Sequence, residues 1–447
     1  MRAAPATGPT AAQVRAGLYL VAGALGAGGV LLLTHRSVYP YLWGYSRVYL
    51  GGLAAYALVG VVVLAMARFG HRWVARLLRL RVVQAATLSV AGCGLVLLLL
   101  EGALTVLPPR LWDPDPQARD GAIFARQEPP LHHVRPANTQ AVIVSPHGEF
   151  RTEVRINSDN LRDVERPVRK PPGTLRILVL GDSMVESVQV ELEATFVKRL
   201  ERLLAAALPG RVDVINAGVA SASPTTEYLM LRHKGLKYAP DVVVLAFFPA
   251  DVQDDWAYRQ DLVFDERGVP RERARRDDRL GPQIVPALFA HWRGLRLVAG
   301  GLLLARLNPF ADLAVSIFQA DDTPREQAAW ALTTTAIRAA RDLAAAHGAR
   351  FALLAIPYPA QVAGDGRALG RAGPEVARLL ATSTRPQEVL AGFSREHEIP
   401  YLDLLPALRA SGAGPLFFAR DQHLTPRGHE VVAAAVAAFL RERGLVR

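Results

Sequence analysis

Three residue types that together can move an acyl group stand far apart in this chain. Ser183 lies in the stretch Arg176–Glu186, RILVLGDSMVE, directly after the break made by Gly181 and Asp182. Asp421 and His423 stand two residues apart in Asp-Gln-His, just before the last helical stretch. Acyl transfer through serine needs a hydroxyl, a base within hydrogen-bond reach, an acid that orients the base, and donors for the oxyanion. Ser183 offers the hydroxyl and His423 the base. Asp421 offers the group that holds the imidazole and stabilises its cation. His429 is a rival base, but it falls inside the final helix, where packing or capping is the expected role. Ser183-Met-Val-Glu186 also fits S-x-x-E, a capping box in which both side chains satisfy backbone donors. The serine alone leaves nucleophile and cap both open.

The elements around it are readable from periodicity. Ile177–Leu180 is a short apolar run of the kind that forms a strand buried on both faces of a parallel sheet. Val190–Leu208 has helical spacing, with Phe196, Leu200, Leu203, Leu204 and Ala207 on one face. Ser183 therefore leaves the carboxyl end of a strand, where open α/β sheets place ligands. It also opens a helix, whose free N–H groups favour developing negative charge. Val212–Ile215, Val242–Phe248, Phe351–Ile356 and Tyr401–Leu404 read as four more strands, and the last helix starts at Thr425 and Pro426. Alternation of strand and helix predicts an α/β fold, a three-layer α/β/α parallel sheet.

Gly-Asp-Ser after the first strand, Asn216-Ala-Gly218 after the second and the terminal Asp/His pair resemble the SGNH (GDSL-type) serine hydrolase superfamily, in its membrane-anchored bacterial form. The resemblance covers about Thr174 to the C-terminus. It implies a flavodoxin-like sheet, esterase or acyltransferase chemistry without a cofactor or metal, and oxyanion donors at Ser183 N–H, Gly218 N–H and a third position. That third donor is an asparagine in a Gly-x-Asn-Asp-like turn; here the turn reads Phe248-Pro-Ala250-Asp251, and Ala250 occupies its place. Asn160, Gln253 or a residue of the insertion would have to substitute. The family acid usually stands three residues before the histidine, which is Arg420 here. The tighter Asp421-x-His423 spacing resembles relatives that O-acetylate polysaccharides. Asn157-Ser-Asp-Asn160-Leu-Arg162 resembles the lead-in of membrane-anchored relatives. Asn160, Asp182 and Asp251 are expected at the substrate, and Arg162 is expected to fix the linker by a salt bridge or to bind a carboxylate. The spacing of Asp251, Asp254 and Asp255 gives no reason to expect a convergent cation site. Helix capping and solvated charge are the expectation there.

The 447 residues exceed one typical domain. Hydrophobic content of 51% points to a bilayer for part of the chain. Ala16–Thr34, Val48–Met66 and Val82–Leu107 each hold about the 20 apolar residues that cross a hydrocarbon core. The first lacks the basic leader and exit motif of a signal peptide. Arg68, Arg72, Arg76, Arg79 and Arg81 follow the second stretch, whereas Tyr39, Tyr41, Trp43 and Tyr45 follow the first. The positive-inside rule then puts the N-terminus in the cytoplasm and everything after Leu107 outside. Glu101, near the outer end of the third stretch, is placed to snorkel or pair. The net charge of +11 is mostly arginine beside these stretches and in mixed-charge loops; no stacking motif or zinc spacing points to nucleic acid. Cys93 is the only cysteine, so no disulfide framework exists.

The expected organisation is a membrane domain over 1–107, a juxtamembrane connector with short strands over 108–172, and a hydrolase-like domain over 173–447. The last is interrupted by a helical insertion at about 252–323, read as a lid, a membrane-resting element or a packed structural addition. The expected activity is an extracytoplasmic esterase on an acylated envelope carbohydrate or lipid. The alternatives are an O-acyltransferase of an exported polysaccharide that works with a membrane acyl-donor partner, and a degenerate, non-catalytic binding module.

Overall fold

The computed structural model describes residues 9–33, 47–106, 128–145, 147–273, 311–363, 374–412 and 414–447. These fall into two compact units, one before residue 107 and one after residue 127. The N-terminal unit is helical: α1 (Ala11–Leu32), α2 (Arg47–Ala65), a π turn (Met66–Gly70), α3 (His71–Leu77) and α4 (Arg81–Val106). Tyr56 of α2 donates its hydroxyl to the Leu25 carbonyl of α1 at 2.9 Å. Gly28 leaves room for this contact, since a Cβ there would lie 2.5 Å from the Tyr56 oxygen. Among the described residues one helix, Leu53–Leu77, is long and apolar enough to cross a membrane, with mean hydropathy 2.0. The other two expected spans are helical where described, as α1 and α4. The arginine stretch expected as a loop is instead helical as far as Leu77. Arg68, Arg72 and Arg76 recur every fourth residue, so the helix continues with its cations along one side. The aromatic stretch over 35–46 lies outside the described residues.

The second unit runs β1 (Thr139–Val144), β2 (Arg151–Ile156), β3 (Thr174–Gly181), α5 (Ser183–Glu186), α6 (Phe196–Ala207), β4 (Arg211–Gly218), α7 (Pro224–His233), β5 (Val242–Phe247) and α8 (Asp251–Tyr258). It continues with β6 (Leu262–Phe264), β7 (Pro270–Arg273), α9 (Ala311–Ser316), α10 (Pro324–Ala346), β8 (Arg350–Ala355), α11 (Pro359–Ala363), α12 (Pro374–Thr382), α13 (Arg385–Glu396), β9 (Tyr401–Asp403), α14 (Leu405–Ala410) and α15 (Pro426–Glu442). Five strands form one parallel sheet in the order β4-β3-β5-β8-β9. The period-2 alternation of each strand feeds two cores. Leu178, Leu180, Val243 and Leu245 face α7 and α10 on one side. Ile177, Val179, Val242 and Val244 face α6 and α15 on the other. The result is the three-layer arrangement, and the strand order reverses direction about β3. The carboxyl ends of β3 and β5 are thereby the switch point, where such sheets bind ligands.

Two expectations are corrected. The helix after Ser183 was expected to run through Val190–Leu208, yet α5 is a single turn closed by Ser187 in a left-handed conformation (φ 58°), and α6 begins only at Phe196. The cause is Arg162: its buried guanidinium takes the carbonyls of Glu186 and Ser187 at 2.7 and 2.6 Å and of Val190 at 2.5 Å, all of which a continuing helix would need. The stretch before β3 is also more than a connector. Leu131, Val134 and Leu161 join the same core cluster as Leu178. Within the insertion, α8 and the β6–β7 hairpin are ordered elements; residues 274–310, which carry most of the apolar helical pattern, lie outside the described residues.

Arg135, from this N-terminal stretch, grips Glu186 through two hydrogen bonds of 2.5 and 2.7 Å. The Glu186 side chain is fully buried, so removing its partner leaves a stranded charge, which typically costs about 3–5 kcal/mol. Arg135→Met should accordingly lower the urea midpoint of the second unit, followed by tryptophan fluorescence, by that equivalent; an unchanged midpoint would show the pair to be dispensable.

Candidate active site

Ser183 is the first residue of α5, placed by a tight exit from β3. Gly181 is required there, because a Cβ would fall 2.2 Å from Val185 Cγ2. Asp182 caps the turn, its carboxylate accepting the Met184 N–H at 2.8 Å. Glu186 does not close the S-x-x-E box: it accepts from Arg135 and from the Ala220 N–H at 2.9 Å. It thereby ties the Ser183 turn to the loop after β4. Among the described residues nothing takes the Ser183 N–H, which is left available to a developing oxyanion.

His423 arrives from the opposite end of the chain. Its Nε2 lies 2.8 Å from Ser183 Oγ, and its Nδ1 lies 2.7 Å from Asp421 Oδ1. Nδ1–H donating to the carboxylate leaves Nε2 as the acceptor of the serine proton. The Asp-x-His spacing works because Gln422 between them adopts a left-handed φ of 69° and both side chains emerge on one side of a tight turn. Phe418 N–H donates to the His423 carbonyl at 2.8 Å and closes that turn. Burial alone would lower the His423 pKa, but the Asp421 hydrogen bond and charge outweigh it, with Asp182 adding to them, so the pKa is raised above 6.5. The imidazole keeps about 24% exposure, which limits what burial can subtract. This is a hydroxyl, an imidazole and a carboxylate in series, the arrangement that lets serine attack a carbonyl carbon at neutral pH.

The remaining candidates part ways. Gly218 closes on α5 rather than on an open cleft: a Cβ would lie 2.4 Å from Glu186 N. Its N–H, expected as an oxyanion donor, is taken by Asn216 Oδ1 at 3.0 Å. Ala250 is the N-cap position of α8 and brings no side-chain donor. Asn160 is buried away from this role, its amide donating to the Arg135 carbonyl at 2.7 Å and its oxygen accepting Lys234 Nζ. Gln253 has a buried Oε1 without a partner. Asp251 is fully buried and accepts the Phe248 N–H at 2.9 Å, so it shapes the turn after β5 instead of meeting substrate. Arg162 holds the Ser183 loop by its carbonyls, not through a carboxylate. His429 Nδ1 accepts the Phe196 N–H at 3.2 Å, and burial pushes its pKa down to about 3.

Sequence reasoning also missed a layer of buried acids beneath the serine. Asp182 is pushed up to about 6 by burial, against the Met184 hydrogen bond and the charge of His423. Glu227 and Asp251 are raised well above the carboxylate range, by burial first and then by Asp182 beside them. Asp255 is equally buried and accepts from Thr225 and Thr333 hydroxyls at 2.6 and 2.7 Å. The solvated-charge expectation therefore fails for Asp251 and Asp255. Glu227 and Asp251 lie in the first turns of α7 and α8, the helices that follow β4 and β5. Among the described residues no group of acids and histidines could hold a metal ion.

Residues 317–446 match the family model of an SGNH hydrolase-like domain, acetyltransferase AlgX; the match contains Asp421 and His423 and stops short of Ser183. No protein of curated function matched in sequence. Among solved structures, a catalytic mutant of Axe2, an acetylxylan esterase from Geobacillus stearothermophilus, is 14% identical with a TM-score of 0.33, over 61% of this chain and 96% of that one. The lipase/acylhydrolase from Enterococcus faecalis is 18% identical with a TM-score of 0.32, over 60% and 96%. TesA is 14% identical with a TM-score of 0.34, over 61% and 99%. Likeness at that level says nothing about activity. The family match likens residues 317–446, which bring the acid and base, to an SGNH hydrolase-like domain, and the sheet that brings them to Ser183 is consistent with it; together they support an SGNH-type superfamily.

Proposed function

We propose that this protein is a membrane-anchored, extracytoplasmic serine esterase that removes acyl groups, acetyl first among them, from a cell-envelope carbohydrate or lipid. The observation that carries the reading is the unbroken series Ser183 Oγ, His423 Nε2, His423 Nδ1, Asp421 Oδ1 at 2.8 and 2.7 Å. Ser183 Oγ attacks the ester carbonyl while His423 takes its proton and Asp421 stabilises the imidazolium. The oxyanion forms against the Ser183 N–H. Collapse expels the alcohol, which receives the proton from His423, and leaves an acyl-serine. Water, deprotonated by His423 in turn, releases the acid and restores the serine. Acetyl is chosen because the matching family is described as an acetyltransferase. No cofactor enters these steps.

The same residues support a second reading, transfer of the acyl group to an exported polysaccharide, which that family description favours. Three spans are too few to bring an acyl donor across a bilayer unaided, so this reading requires a membrane partner. A non-catalytic binding module draws support from Ala250, which offers no donor, and is opposed by the intact hydrogen-bonded series. The anchor in all three readings is a set of three spans: the apolar N-terminal part of the Leu53–Leu77 helix, with α1 and α4, which are 22 and 26 residues long. With the arginines around α3 held in the cytoplasm, an odd number of spans leaves the catalytic unit outside.

Full-length protein in detergent should hydrolyse p-nitrophenyl acetate, and Ser183→Ala should lose at least ~10³-fold in kcat. Equal rates in the two proteins end the esterase reading, while acyl transfer to a glycan faster than to water selects the second. Because His423 must be neutral to accept the proton and its pKa is raised, kcat/KM should climb through an acidic limb above pH 6.5. Asp421→Asn, which removes the largest raising influence, should move that limb to lower pH as it slows the reaction; a limb that stays in place would assign it to another group. For the topology, a C-terminal alkaline phosphatase fusion should be active and a C-terminal green fluorescent protein fusion dark, and the reverse pattern would put the catalytic unit in the cytoplasm.

A further inference from the structure

The turn that carries Asp421 and His423 is closed at its base by its own hydrogen bonds but not at its tip. Its own hydrogen bonds fix its two ends: Phe417 bridges Leu424, Phe418 N–H reaches the His423 carbonyl at 2.8 Å, and Gln422 N–H reaches the Phe418 carbonyl at 3.0 Å. The N–H groups of Arg420 and Asp421, at the tip, find no acceptor within the turn. Gln422 sits in a left-handed conformation that a non-glycine residue does not favour, so the tip needs an external hold to keep its shape.

That hold comes from the connection between β1 and β2, about 270 residues earlier in the chain. Glu149 Oε1 accepts the Arg420 N–H at 3.0 Å, and Glu149 Oε2 accepts the Asp421 N–H at 3.0 Å. One carboxylate thus satisfies both orphaned donors in a two-pronged grip whose geometry leaves little freedom to the backbone of the acid. The grip has its own foundation. Ser145 N–H bonds the Phe150 carbonyl at 2.9 Å and closes the hairpin, and Thr152 Oγ1 donates to the Gln189 carbonyl at 3.0 Å, anchoring β2 beside the nucleophile loop. Phe150 meets Phe418 with ring centroids 5.3 Å apart.

We propose that Glu149 is a positioning residue for the reaction: by clamping the backbone at Arg420 and Asp421 it sets the Asp421 carboxylate against His423 and so sets the imidazole against Ser183. The inference rests on the esterase reading for its kinetic consequence, but not for its structural one. A misplacement of the acid by a fraction of an ångström to about 1 Å costs on the order of 10–100-fold in rate. It acts on kcat, because Glu149 itself touches no substrate.

The test uses full-length protein with Glu149→Gln, which turns one acceptor into a donor facing a backbone N–H, and Glu149→Asp, which keeps the charge but is one methylene too short. Both variants should lower kcat on p-nitrophenyl acetate about tenfold with KM within about twofold. The imidazole titration of His423, followed by NMR of isotope-labelled histidine and assigned with His423→Gln, should move in both toward the ordinary value of about 6.5. A kcat loss confined to E149Q would trace the effect to charge and overturn positioning, as would an unmoved titration in either variant. If the wild-type protein hydrolyses no ester while the titration still moves, the esterase reading falls and the clamp stands.

Discussion

One imidazole has to reach a hydroxyl and a carboxylate at the same time, and the second unit is built around that short chain of hydrogen bonds. Its ends are supplied by turns 240 residues apart. Neither turn would adopt its conformation unaided. The nucleophile turn ends in a left-handed Ser187, and the acid turn passes through a left-handed Gln422. Each is held by groups from outside it: Arg162 and Arg135 on one side, Glu149 on the other. All three come from the residues before β3. The sheet therefore brings the two turns to the same switch point, and the N-terminal stretch of the unit holds them in register.

What was legible in the sequence follows from how local each signal is. The central strands β3 and β5 are buried on both faces, so Ile177–Leu180 and Val242–Phe248 stand out as unbroken apolar runs between turns. The Ser183, Asp421 and His423 set was legible because each sits at a strand end or helix start that periodicity already marks. Arg162 and Glu149 were not legible in their present roles. Their work is done on backbone carbonyls and N–H groups of distant segments, and such partners carry no residue-type signature. Gly218, expected as an oxyanion donor, has Glu186 N 2.4 Å from the place of its absent Cβ and its N–H on Asn216, neighbours that the sequence does not name. Asn160 misled for the opposite reason: an asparagine with a left-handed φ of 68° is a turn residue first, and its amide was already engaged.

The buried acids bear on the chemistry at the serine. A tetrahedral intermediate would place a negative charge close to Asp182, with Glu227 and Asp251 behind it, and a full charge on any of them would oppose it in a poorly screened interior. Burial answers this. It raises the pKa of each, which favours the neutral form and weakens that repulsion most at Glu227 and Asp251. Asp182 is the exception, lifted only to about 6 and hence largely ionised at pH 7. Its charge adds to what raises the His423 pKa, and it would oppose an oxyanion formed at Ser183.

That balance sharpens the meaning of Ala250. With Gly218 N–H committed to Asn216 and no side-chain donor at 250, the Ser183 N–H is the one donor of the expected three left available among the described residues. Loss of a single oxyanion donor costs about 2.7–4 kcal/mol in barrier height where it has been measured. A site so lightly equipped stabilises its intermediates less, in both acylation and deacylation. Attack on an acyl-serine by a glycan hydroxyl passes through the same oxyanion as attack by water, so the missing donor would slow both alike. It therefore does not choose between hydrolysis and transfer; that choice would rest on which acceptor is held beside Ser183 and whether water is kept from it.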